Sequence, residues 1–388
     1  MAHPLFGPEH DSLRQLVADF TRRELHPHVA EWEAAGGFAD WVFPRLGELG
    51  LLGLRYPREY GGQGLGYAAA VVLTEEITLG HGAGGLPMAV MVHTEMATPP
   101  ILRFGSEAQK RKYLIPAIQG QKIACLGITE PDAGSDVAGI STTARREGDG
   151  WVINGRKIFI TNGVRADFIV LVVRTDASKG HRGFSLFIID RGTPGFSVAR
   201  KLDKVGMNES DTAELLFDDC RVPADALLGE EGRGFQQIMW ELQGERLIAG
   251  TSAIAGAQRS LEAAIAYCNQ RTAFGRPIGE FQALRHALAD AAAELAAVRA
   301  LVYDTCLRWD AGDYPVQELT MAKYLAGQVQ WKVADLCLQV HGGAGYSMES
   351  PVQRWWRDAR LTRIGGGTDE IMLEVIAESM GLGAGRRA

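Results

Sequence analysis

Apolar positions recur at helical spacing through about the first 120 residues. In "DSLRQLVADFTRRELHPHVAEWE", Leu13, Leu16, Val17, Phe20 and Leu25 follow one stripe near the 3.6 period, which predicts an all-helical N-terminal third. The pattern changes at about residue 124. "GWVINGRKIFITNG" alternates apolar and polar positions around Asn154-Gly155, a type I′ hairpin signal, and a second Asn-Gly follows at 162 and 163. With "DFIVLVVRT", "GFSLFIID" and "TAELLFDD" this predicts a compact antiparallel, barrel-like β-domain. Long helical periodicity returns after Gly234, in "FQQIMWELQGERLIAGTSAIAGAQRSLEAAIAYCNQ" and "ALRHALADAAAELAAVRALVYDTCLRW", with Gly-Pro punctuation at 275 to 279 between them. The predicted fold class is α+β: a helical domain at 1–123, the β-domain at 124–232 and a four-helix-bundle domain at 233–388, ending in a frayed "GLGAGRRA" tail.

Composition narrows the function. With 46% hydrophobic and 22% charged residues among 388, the chain can bury a large core. Its net charge of −7, with bases dispersed, gives no footprint for nucleic acid, and "QKRKY" at 109–113 reads as a solvated helix face. The longest apolar run, "FIVLVV" at 168–173, is too short for a bilayer span, and "MAHPLFGPEHDSLRQ" has neither the basic nor the apolar region of a signal peptide. A cytoplasmic protein off the membrane is expected. Five cysteines (Cys125, Cys220, Cys268, Cys306, Cys337), far apart and without CxxC spacing, point to buried reduced thiols and to no metal site.

Cofactor motifs come next. No GxGxxG opens a helix after a strand, and no GxxxxGK[ST] occurs, so Rossmann and P-loop sites are not expected. "GITEPDAGSDVAG", 127–139, gathers Thr129, Glu130, Ser135 and Asp136 around Pro131 and Gly134. Such a turn suits a flat polar ring or a pyrophosphate, and equally a plain Asx-type loop. In the third domain Ile238, Leu242, Glu245 and Ala249 fall on one helical stripe, so Glu245 points where core residues point. A carboxyl there is either a desolvated base or half of a salt bridge with Arg246.

Five motifs in order decide between these readings. "TEPDAGSD", "KIFITNG", "QRTAFG" at 270–275, "QVHGGAGY" at 339–346 and "RDARLTRIGGGT" at 357–368, spread over an α, β, α chain, resemble the acyl-CoA dehydrogenase family of flavoproteins. The resemblance runs from about residue 10 to about 382, and "DTAELLFDDCRVPADALLGEE" and "MAKYLAGQVQ" look most similar to its long-chain branch. It implies FAD as cofactor. The loop with Leu126, Ile128, Thr129, Gly134 and Ser135 would hold the flavin ring and pyrophosphate, Phe159 would lie against the ring, and Thr161 would hydrogen-bond N5. On the residues alone Phe159 reads as a core aromatic. The resemblance assigns Arg271, Phe274, Gln282, Gln339, Gly342 and Gly343 to the adenine half of a neighbouring subunit's FAD, which implies an obligate oligomer, most often a tetramer. Without it Arg271 is a surface charge and Gln339 a helix-end polar residue. Thr368, capping the last helix, and Glu370 in its first turn complete the cofactor set.

Family members desaturate an acyl-CoA between Cα and Cβ: a carboxylate removes the α-proton, a hydride passes to flavin N5, and electrons go on to an electron-transfer flavoprotein. In many of them the carboxylate stands where this chain has Gly366. The isovaleryl and long-chain branches place it in an "ERL" on the helix after the β-domain, and "GERL" at 244–247 assigns it to Glu245. The Gly366 amide is then the donor to the thioester carbonyl, and Gly365 leaves room beside Cα and Cβ. Ser135, Gln243 and Arg246 are candidates to contact the acyl-CoA. The pocket floor is expected around "PMAVMVHTEM", 87–96, with His93 structural. Two other classes fit the pattern: a flavin monooxygenase or oxidase on the same fold, and a non-catalytic binder of acyl-CoA or acyl carrier, motivated by the missing carboxylate at 366.

Overall fold

The computed structural model describes residues 3–383, so 384–388 of the expected tail lie outside the described residues. In the N-terminal part α1 (Pro8–Phe20) is followed, after several shorter helical segments, by α2 (Tyr67–His81) and α3 (Gly85–Met91). Leu13, Val17, Phe20 and Leu25 are buried as the stripe predicts, but Leu16 is 42% exposed. Steps of four and three keep the first three on one face, and Leu16, one position from Val17, is turned about 100° off it.

Eight strands form one sheet: β1 (Ala124–Gly127), β2 (Thr143–Glu147), β3 (Gly150–Thr161), β4 (Phe168–Arg174), β5 (Phe184–Asp190), β6 (Phe196–Lys201), β7 (Thr212–Pro223) and β8 (Leu227–Leu228). The order is β6-β7-β3-β2-β4-β5-β8, with β1 paired to β4. Most pairs are antiparallel, but β1 runs parallel to β4, and β2 meets β4 in parallel at the single pair Thr143 and Arg174. The apolar run of β4 is buried from Phe168 to Val173, so both its faces are covered.

Asn154-Gly155 is not a hairpin turn. Both residues lie inside β3, at a register shift against β7, where the Asn154 side chain exchanges hydrogen bonds with Asp219 (2.8 and 3.1 Å). A Cβ on Gly155 would overlap Thr142, so glycine here permits close backbone approach at a bulge. The β2–β3 turn is made by Gly148-Asp149, with Gly148 at φ +60°.

The longer helices of the last part are α4 (Gly234–Gln270), α5 (Gln282–Asp310), α6 (Val316–His341), α7 (Pro351–Ala359) and α8 (Asp369–Ser379). Ile254, Leu295 and Val333 of α4, α5 and α6 share one core with Val71 of α2 and Met91 of α3, so the first and third parts are packed as one body. The join is also polar. Asp310, at the end of α5, accepts from the first amides of α2, Tyr67 N (2.7 Å) and Ala68 N (2.9 Å), which suits an acid at a helix N-terminus. Asp358 of α7 accepts from Gly84 N and Met207 N, and buried His81 meets Glu209 at 2.8 Å. Met207 and Glu209 lie between β6 and β7, so these last contacts tie the sheet to α7 and α2. All five cysteines are buried free thiols, and no described helix is long and apolar enough to cross a membrane.

Candidate active site

The loop after β1 is clamped to β3. Lys157 of β3, its side chain fully buried, donates to Glu130 Oε1 (2.8 Å) and to the Ile128 carbonyl (2.9 Å), and Ile158 N donates to the Thr129 carbonyl (2.9 Å). Glu130 also accepts from Ser141 N, Ser141 Oγ and Thr142 N. Burial alone would raise the Glu130 carboxyl, but Lys157 and these donors overcome it and hold it near 2. Burial pushes Lys157 down to about 8, so the pair is ionised at neutral pH.

This clamp sets Thr129 beside β3, and there the strand departs from regularity. Phe159 sits at a register shift with φ +61°, and its side chain is 66% exposed. It is therefore not the core aromatic that residues alone suggest. A phenylalanine in the left-handed region is strained, and here the strain turns an apolar ring outward. Thr161 ends the same strand, half-buried, while Leu126, Ile128 and Thr129 are half-buried and Gly134 and Ser135 exposed. Together they make a shallow face with hydroxyls, loop backbone and one bare ring, which fits a flat heterocycle such as flavin.

Arg271, Phe274, Gln282, Gln339, Gly342 and Gly343 form a second exposed group at the far end of the bundle. Phe274 is 95% exposed at φ +52°, and Tyr346 beside the glycines is 80% exposed. Among the described residues no hydrogen bond joins this group to the Leu126–Ser135 loop.

The third feature is the turn before α8. Thr368 caps α8 through its side chain (Ile371 N, 3.4 Å), with buried Asp369 and exposed Glu370 in the first turn. Gly366 has φ +67°, and a Cβ built on it would lie 2.8 Å from Glu245 Oε1. The amides of Gly366 and Gly367 have no backbone partner among the described residues, leaving two free donors in the turn, with Gly366 next to that carboxylate. Lys323 of α6, also buried, donates Nζ to the Gly367 carbonyl and pins the turn.

Glu245 itself is 8% exposed and forms no side-chain hydrogen bond or ion pair among the described residues, with Arg246 or any other group. Burial pushes its carboxyl up to about 7, against the opposing charges of Arg246 and Lys323. Arg246 instead donates to Gln243 Oε1 (3.2 Å) and Thr320 Oγ1 (3.4 Å), and Gln243 donates to the Met239 carbonyl, so both candidate contacts are buried and engaged along α4. His93 is buried between the Ala117 carbonyl (3.0 Å) and Ala124 N (3.0 Å) and joins the helices to β1, as a structural histidine should. Lys157 opens "KIFITNG" and Lys323 lies in "MAKYLAGQVQ", but neither motif points to their partners, 27 and 44 residues away in the chain.

Gly366 gives a direct test. Alanine there adds a Cβ at 2.8 Å from Glu245 Oε1 and an unfavourable φ, and the carboxylate has to move. Gly366→Ala is expected to lower the rate of flavin reduction about 10- to 100-fold, since misplacement by about 1 Å costs that much, with the melting temperature down by only a few degrees. Unaltered kinetics would show that Glu245 does not work from this position.

The whole chain matches known proteins. The acyl-CoA dehydrogenase N-terminal, middle and C-terminal domains match residues 7–121, 125–220 and 232–381. The chain belongs to the acyl-CoA dehydrogenase family, and is an oxidoreductase acting on acyl-CoA with FAD as cofactor. It is 38% identical over 379 residues to the long-chain specific acyl-CoA dehydrogenase of Sus scrofa, covering 97% of this chain and 87% of that one. To the short-chain specific enzyme of Rattus norvegicus it is 40% identical over 368 residues, covering 95% and 89%. The crystal structure of an acyl-CoA dehydrogenase from Geobacillus kaustophilus superposes with TM-score 0.94 at 40% identity, covering 98% of this chain and all of that one.

Proposed function

We propose that the chain oxidises an acyl-CoA thioester to the trans-2-enoyl-CoA, with Glu245 as the base that takes the α-proton and the Gly366 amide as donor to the thioester carbonyl. The observation that carries this reading is a buried carboxylate, unpaired among the described residues, set against the bare Cα of Gly366, whose amide has no backbone partner among them. Bound FAD supplies the acceptor for the hydride that leaves Cβ. Thr129, Ser135, Phe159 and Thr161 hold and orient the ring, and Lys157 and Glu130 fix the loop that carries Thr129. The second exposed group reaches a neighbouring subunit's cofactor. Phe274 and Tyr346, bare on the single chain, support an oligomer, a tetramer by family resemblance. Electrons then pass to an electron-transfer flavoprotein, and the enzyme works in the cytoplasm.

The test is anaerobic mixing of the purified yellow protein with straight and branched acyl-CoAs, following the visible flavin band. Bleaching by some thioester, with enoyl-CoA as product, is the expected result. Binding without bleaching by every member of the panel would rule the dehydrogenase reading out.

The pH dependence follows from the burial of Glu245. Its carboxylate form works as base, so the rate should rise with pH through about 7. Lys323 is one of the charges that favours that form, and Lys323→Met should move the rising limb to higher pH. A limb that stays in place would show that Lys323 does not act on Glu245.

A further inference from the structure

Glu241 lies one turn before Glu245 on α4, is 2% exposed, and has no hydrogen-bond partner for either carboxylate oxygen among the described residues. Its charged neighbours besides Glu245 and Arg246 are Arg55 and Glu95, contributed by the N-terminal helical part. Arg55 Nε donates to Glu95 Oε2 (2.7 Å), both side chains being less than a tenth exposed, and the guanidinium lies over the Tyr67 ring at 4.6 Å. The Arg55 Nη2 group is also buried without a partner among the described residues. A buried donor and a buried pair of oxygens thus stand without partners among the described residues, within electrostatic reach of each other and of the base. Thr74, Thr94 and Glu95 put further polar atoms around a small void between α2 and α3.

A hydrocarbon tail entering here would leave these groups desolvated and unpaired, which buried polar groups rarely tolerate. A hydroxyl matches both, hydrogen-bonding to the Glu241 carboxyl and accepting from Arg55 Nη2. We infer that Glu241 and Arg55 recognise a hydroxyl group on the acyl chain beyond Cβ, so that the substrate is a hydroxylated acyl thioester in place of a plain aliphatic one. The inference rests on the dehydrogenase reading, with Glu245 marking where Cα sits. It gives the "PMAVMVHTEM" region, through Glu95, the part of holding Arg55 in place.

The experiment compares anaerobic flavin reduction of the holoenzyme by unsubstituted acyl-CoAs with that by acyl-CoAs of equal length carrying one hydroxyl at successive carbons beyond Cβ. The best hydroxylated thioester should exceed its plain counterpart in kcat/KM by on the order of 10- to 100-fold, the penalty for leaving a buried hydrogen-bonding site unpartnered. Glu241→Leu, which removes a buried carboxyl without a hydrogen-bond partner among the described residues, should erase that preference and improve the plain substrates. Equal kcat/KM for both kinds in the wild type, or a preference that survives Glu241→Leu, overturns the inference and leaves the dehydrogenase standing. If no thioester of either kind reduces the flavin, the dehydrogenase reading falls and this one with it.

Discussion

Glu245→Gln is expected to bind FAD as the wild type does and to lose on the order of 10²–10⁴ in the rate of flavin reduction, the usual contribution of a general base. Glutamine keeps the shape and burial of the side chain but cannot accept the proton. The same change has a second signature. The Glu245 carboxyl is raised in the folded protein from about 4.5 to about 7, so the folded state holds a proton that the unfolded chain has released. Stability is therefore lost in the wild type as pH rises from about 4.5 through about 7, and this loss disappears in the variant. The melting temperature of Glu245→Gln relative to wild type should climb across that window. Stopped-flow reduction and melting curves at several pH values check both statements. Retention of the wild-type rate would dismiss Glu245 as the base.

Much of this site is legible in the amino-acid sequence, because its signals are local. The step pattern Ile238, Leu242, Glu245, Ala249 needs only helical periodicity to turn the carboxylate inward, and Glu245 is buried. Thr368 caps α8 because a threonine before Asp369-Glu370 is a helix start at any position. Where local rules fail, tertiary contact overrules them. Asn154-Gly155 carries a hairpin signal, but the 12-residue strands β3 and β7 pair through it, and the unpaired residue becomes a bulge that bonds Asp219. Phe159 reads as core by alternation, and a second irregularity in the same strand turns it outward. The buried ion pairs are out of reach for a different reason. Arg55 and Glu95, or Lys157 and Glu130, are ordinary charges in a sequence whose charged residues are mostly solvated. Only the fold removes water from them and makes each depend on its partner.

Lys157→Met follows from that dependence and is expected to be the most destabilising single change near the cofactor face. The variant leaves the Glu130 carboxylate buried without its counter-charge and the Ile128 carbonyl without its donor. Breaking a buried pair from one side costs about 3–5 kcal/mol. Because Ser141 N, Ser141 Oγ and Thr142 N still donate to Glu130, the lower end of that range is expected. The loop bearing Thr129 is then held to β3 by one backbone bond, Ile158 N to the Thr129 carbonyl, so flavin should be lost on purification. The double change Glu130→Gln with Lys157→Met removes the stranded charge and should recover part of the melting temperature without recovering flavin, since the Ile128 donor is still missing. The pair itself is ionised between about 2 and about 8, and the stability that Glu130 contributes through its depressed carboxyl is lost as pH falls below about 4.5 towards 2. Melting temperature and the ratio of flavin to protein absorbance measure both effects. A Lys157→Met protein that stays yellow and melts with the wild type would mean that the clamp does not hold the cofactor loop.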